Sequence, residues 1–181
     1  KQTQAYLDSG NAYINDNHKL AIQYFESALK FARKQGYKLQ ETQAYKGLGH
    51  AYRLDNQYQM AIKHYEKALE IAREQGYTLE ETEAYIGLGD AYRLDNQYQM
   101  AIQHHEKALK IARKHGYRIE ENDACIGLGD AYYSNNQSLT AIQHYEKALK
   151  IARQQGYKLQ QTQAYQGLGH AYTLDNQYQM V

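Results

Sequence analysis

Apolar residues recur along this chain at helical spacing. Ala44, Tyr45, Leu48, Ala51 and Tyr52 fall three and four residues apart, and so do Ala61, Ile62, Tyr65, Ala68, Leu69 and Ala72. Each set marks one face of a helix, because residues three and four apart stack on the same side of a 3.6-residue turn. Between the two stripes lies Asp55-Asn56-Gln57. Asparagine tolerates the left-handed backbone conformation, so a tight turn is expected there. The second stripe runs out at Gly76, just after the basic Arg73, a combination that ends helices. No strand-like alternation appears, and the chain contains no proline. The pattern predicts an all-α chain made of helix pairs.

The pairs repeat. LDNQYQM occurs verbatim at 54–60, 94–100 and 174–180, at spacings of 40 and 80 residues. A fixed period in this range is the mark of a solenoid. The copies run over about 42–81, 82–121 and 122–161, with a divergent first copy at 1–41 and a half copy at 162–181. In the first copy Gly10 and Tyr13 match Gly49 and Tyr52, while Ala21 matches Ala61, so the connection around Asn15 to Lys19 is one residue shorter. No linker or low-complexity tail interrupts the series, and 1–181 reads as one solenoid. Because it starts at Lys1 and stops inside a repeat, it is expected to be a stretch of a longer array.

Glycine recurs where helices should run. Gly49 lies on the apolar stripe of the first helix, where it costs about 1 kcal/mol of helix propensity relative to alanine. Its presence implies that another backbone, near Ala61, comes close. Gly47, Gly87, Gly127 and Gly167 form a second series off that stripe. They suit either close packing between first helices or bare backbone on a ligand groove, with packing preferred.

Composition narrows the function. A net charge of +1 gives no electrostatic case for a nucleic-acid partner. No apolar run approaches the roughly 18 residues of a membrane span. The single Cys125 excludes an intrachain disulfide and fits a reducing, cytoplasmic setting. Twenty tyrosines and no tryptophan are mostly periodic, and are expected to fill the core with their hydroxyls at its edge.

The run Tyr45, Leu48, Gly49, Tyr52, Tyr58, Ala61, Tyr65, Ala68 resembles the tetratricopeptide repeat, and the match recurs in every copy. Arg73 stands where that family usually has proline, and the period of 40 exceeds its usual 34; the chain is similar to the longer-repeat group of LGN/Pins-type scaffolds. The resemblance implies a right-handed α–α superhelix that binds a peptide or helical segment of a partner protein in its concave groove. In that family the non-core face of the first helix lines the groove. Here it carries Gln43, Lys46, His50 and Arg53; then Glu83, Ile86, Asp90 and Arg93; then Asp123, Ile126, Asp130 and Tyr133; then Gln163, Gln166, His170 and Thr173. The first copy has Gln4, Leu7, Asn11 and Ile14. Nearly identical repeats differ most tellingly here: Lys46 becomes Ile86, Ile126 and Gln166, and His50 becomes Asp90, Asp130 and His170. Lys46, His50, Arg53, Ile86, Asp90, Arg93, Ile126, Asp130 and Tyr133 are the expected peptide-binding residues; the competing reading is an ordinary solvated face. The carboxylate clamp for chaperone tails does not match, because Leu7 stands beside Asn11 in place of its lysine and His50 replaces its second asparagine.

Enzyme chemistry is not expected. No phosphate loop, Ser-His-Asp set or convergent carboxylate pair is present, and Glu80-Glu81 and Glu120-Glu121 sit at helix starts, where the dipole favours acids. His64, His104 and His144 recur once per repeat. Neighbouring helices lie about 10 Å apart, too far to share a zinc ion that binds nitrogen at about 2.0–2.1 Å. They are expected on a solvated convex face, and no metal or cofactor is predicted. His105 takes the place of Tyr65 and Tyr145, as a partly buried substitute, and Cys125 that of Tyr45 and Tyr85, as a small core residue. A structural role is the rival to partner binding: Leu168, Tyr172 and Tyr178 on the half repeat lack a covering helix, so head-to-tail or swapped self-association is possible.

Overall fold

The computed structural model describes the backbone of residues 1–179 and the side chains of residues 1–175. Among these residues the chain is helical throughout: α1 Gln2–Tyr13, α2 His18–Gln35, α3 Lys38–Leu54, α4 Tyr58–Gln75, α5 Thr78–Leu94, α6 Tyr98–His115, α7 Arg118–Ser134, α8 Ser138–Gln155 and α9 Lys158–Gln179. The odd helices are the first members of each pair and the even helices the second.

Both connections follow from single residues. After α3, α5 and α7, the residues Asn56, Asn96 and Asn136 adopt φ of 59°, 61° and 57°, and the N–H of Gln57 donates to the carbonyl of Tyr52 at 2.9 Å. After α4, Gly76 at φ 70° lets the Tyr77 N–H reach the Ala72 carbonyl at 2.8 Å. Each turn satisfies carbonyls that a helix end would otherwise leave open. The shorter first connection instead uses Asn17, whose side chain accepts from the Leu20 N–H at 3.0 Å. Arg33 and Arg113 reach across the later turns to Glu41 and Glu121 at 3.2 and 3.1 Å, and Arg73 to Glu81 at 3.7 Å.

The third LDNQYQM behaves differently. Residues 174–179 continue α9 as helix, whereas the same residues form a turn and a helix start in the two earlier copies.

Each helix packs against the next, and the odd helices also touch one another: α1 with α3, α3 with α5, α5 with α7 and α7 with α9. Among the described residues no even helix touches another even helix. A stack closed along one row and splayed along the other curves toward the closed row, so the odd helices form the concave side.

The two glycine series have one explanation. Phe25, Tyr65, His105 and Tyr145 project from the even helices, and each ring is held between two odd helices. Gly10 and Gly47 flank Phe25, Gly49 and Gly87 flank Tyr65, Gly89 and Gly127 flank His105, and Gly129 and Gly167 flank Tyr145; a Cβ at any of these glycines would stand under 3.0 Å from a ring atom. The close neighbour of Gly49 is thus the Tyr65 ring and not the backbone at Ala61, and packing accounts for the second series through an intervening ring. His105 is fully buried and not a partly exposed substitute. Cys125 is likewise enclosed.

Candidate functional site

A cavity of about 760 Å³ runs along the concave face from α1 to α7. Its floor includes Leu7, Ile14 and the rings of Phe25 and Tyr65, and Lys46, His50, Glu83, Ile86 and Asp123 line its walls. Leu79, Glu80, Ile119 and Glu120, from the first turns of α5 and α7, form one rim. Of the residues expected to bind, Lys46, His50 and Ile86 line this cavity. Arg53, Asp90, Arg93, Ile126, Asp130 and Tyr133 continue the same helix faces beyond it. The floor rings and the rim were not anticipated. The rim left a signal: Leu39, Leu79, Ile119 and Leu159 recur as lone apolar residues on polar helix starts.

Ion pairs cross from one odd helix to the next. Lys46 Nζ meets Glu83 Oε2, and Arg53 Nη1 lies 3.9 Å from Asp90 Oδ2. One step along, Ile86 replaces the lysine, and Arg93 stands in the place of Arg53 without closing to ion-pair distance on Asp130, which it influences only through space. Asp130 also accepts a hydrogen bond from Tyr145 Oη at 2.6 Å; burial pushes its carboxyl up, against the pull of that bond and of Arg93. At the last step Tyr133 packs on His170, ring centroids 6.3 Å apart. His50 is pushed down to about 4, first by burial and then by Arg53, with Asp90 opposing. The Arg53 Nε is buried without a hydrogen bond, so Arg53 belongs as much to the wall as to the groove.

The histidine row is not on a solvated face. His64, His104 and His144 stack on Tyr52, Tyr92 and Tyr132, with ring centroids 5.1, 5.1 and 5.2 Å apart. The register of the even helix turns them inward onto the odd helix of the same pair. Burial then lowers their pKa values, those of His104 and His144 to about 4. Among the described residues no three His, Cys, Asp or Glu side chains are grouped to hold a metal ion, and no helix is long and apolar enough to cross a membrane.

No curated protein matches the chain. Solved structures do. RapI in its apo form superposes with a TM-score of 0.82 at 16% identity, over 99% of this chain and 66% of that one. A Rap protein complexed with Competence and Sporulation Factor gives 0.83 at 16%, over 99% and 55%. A putative kinesin light chain from Podosopora anserina, with nearly identical TPR-like repeats, gives 0.76 at 19%, over 98% and 88%. At these identities the likeness is one of fold. The chain spans just under two thirds of RapI and about half of the complexed Rap protein. The sequence itself matches family models described as tetratricopeptide repeat at residues 3–74, 41–114 and 123–155, and with the paired helices and the concave row of odd helices this places the chain in the tetratricopeptide repeat family.

Proposed function

We propose that this solenoid is a protein-interaction scaffold that holds a peptide or helical segment of its partner in the concave groove. It works by binding and not by catalysis, in the cytoplasm, without a cofactor, and with neither nucleic acid nor membrane as its partner. The observation that carries this is the continuous cavity across four odd helices, with an apolar floor and charged walls, a combination suited to anchoring side chains at fixed intervals. A related Rap protein was solved complexed with Competence and Sporulation Factor, which supports a ligand-binding solenoid. The 40-residue period favours the LGN/Pins-type group. The contacting residues are Lys46, His50, Arg53, Ile86, Asp90, Arg93, Ile126, Asp130 and Tyr133.

Charge reversal at Arg53 is a poor test, because a glutamate beside Asp90 would weaken the fold itself. Glutamine at Lys46, Ile86 and Arg93 together is cleaner. Peptides selected on the wild-type protein are expected to bind this variant at least roughly tenfold more weakly, as for loss of central contacts, when affinity is measured well below the Tm of the variant, which loss of the Lys46–Glu83 pair lowers. Equal affinity of the folded variant would overturn the groove reading.

Self-assembly is the second reading, favoured by the face of α9. Tyr165 and Tyr172 are 50% and 47% exposed, and among the described residues Gly169 has no neighbour within 4 Å where Gly49, Gly89 and Gly129 each meet a ring. Leu168 is half-buried, and the Tyr178 side chain lies outside the described residues. Concentration-dependent sedimentation that Tyr172→Glu abolishes would support this reading; a monomer at all concentrations would dismiss it.

A further inference from the structure

One carboxylate in the groove lacks the cation that its counterpart has. Glu83 on α5 faces Lys46 on α3 and pairs with it. Asp123 on α7 occupies the same position one repeat on, and the residue facing it from α5 is Ile86. Among the described residues no lysine or arginine lies within 4 Å of Asp123, and the one group that favours its ionised form is the Gln160 amide on α9. The other charged groups around it are Glu120 on α7 and Glu83 and Asp90 on α5, all acidic. The nearby His105 brings no compensating charge: it is fully enclosed between Gly89 and Gly127, neither ring nitrogen has a hydrogen bond, and its Nε2 points at Asp90 Oδ1 from 3.6 Å. Asp123 lines the cavity together with the apolar Ile86 and Ile119, and Ile119 is 46% exposed.

We infer that the groove takes a basic segment and anchors one of its lysine or arginine side chains on Asp123, with Ile86 and Ile119 bedding the aliphatic stem. This rests on the groove reading above. A cation of the ligand completes the charge ladder that Lys46 completes internally one repeat earlier, and a long basic side chain has both the apolar stem and the charged tip the site requires. In the free protein, burial first, then Glu120, Asp90 and Glu83, push the Asp123 carboxyl up to about 6. A bound cation favours the ionised form, so binding strengthens as pH rises through about 6 and weakens below it. The same shift means the free fold is destabilised by ionising Asp123: relative to a neutral side chain, stability is lost as pH climbs from the unfolded carboxylate value through about 6. Removing the charge therefore spares the fold and removes only the anchor.

The test uses arrayed short peptides of randomised sequence, probed with the whole chain. Peptides selected by the wild type are expected to share a lysine or arginine at one place beside an apolar residue. Asp123→Asn should melt at or above the wild-type temperature near neutral pH and bind those peptides roughly tenfold more weakly or worse. Ile86→Lys, which supplies the missing cation from within, should do the same and raise Tm. Selected peptides that lack a basic residue, or that bind both variants as tightly as wild type, would overturn the anchor. If the glutamine variant at Lys46, Ile86 and Arg93 still loses those peptides, the groove reading survives that outcome; if it too binds normally, or no peptide is selected, both fall.

Discussion

Each ring inserted by an even helix depends on two glycines from different repeats, so a single added methyl tests the packing. In Gly87→Ala the new Cβ would enter the space of the Tyr65 ring, with an expected loss of about 1–3 kcal/mol from overpacking. Gly169→Ala, with open space around it among the described residues, should instead gain up to about 1 kcal/mol of helix propensity. Urea titration of both variants separates the two effects, and equal shifts would refute the sandwich. The sequence placed Gly49 on the core face but not its neighbour, because a ring between two helices is a three-body contact that no spacing within one helix encodes. Asp123 shows the same limit. Its position on the groove face and the change of Lys46 to Ile86 were legible, but its missing partner emerged only with the pairing of Lys46 and Glu83 across adjacent helices.

Among the elements, the turns were the most legible part, since each rests on one residue type in one conformation. Asn96 at φ 61° predicts that Asn96→Ala costs about 1–2 kcal/mol, while Asn96→Gly costs little, because only alanine carries a Cβ into the left-handed region. Thermal melts of the two variants check this; equal losses would mean that the contact between Tyr98 Oη and Asn96 Oδ1 at 2.9 Å holds the turn instead. The half copy marks the limit of such reading, since residues 174–179 continue α9 while the same residues at 54–59 and 94–99 make a turn and a helix start. The histidine row was misread for a related reason. Polar residues at a regular interval on the second helix look solvent-facing, and only the packed pair shows tyrosine rings covering them.

For the whole molecule, the concave side was legible only through the family resemblance and not from the spacing of residues; it is set by which row of helices closes up. The buried and half-buried histidines then act together. His50, His64, His104, His105 and His144 all have folded-state pKa values held below 6.5 by burial, to about 4 for His50, His104 and His144. A group with a depressed folded value leaves full stability above the unfolded value, and stability is lost as pH falls from about 6.5 toward 4. Tm is expected to drop between about pH 7.5 and 4.5, and phenylalanine at His64, His104 and His144 together, which preserves the stacks, should shrink that drop. An unchanged drop would assign acid sensitivity to other groups, such as Glu41, whose ion pairs hold its carboxyl low. Finally, the rings held between glycines of successive repeats change what counts as a unit under tension. Pulled from its ends, the array would not come apart at the boundaries of the sequence period. A first helix must peel away before the ring beneath it is freed, so each rupture would release one even helix with the odd helix that follows it, on the order of 130 Å of extended chain, and the force record would be a sawtooth offset by half a period from the written repeat.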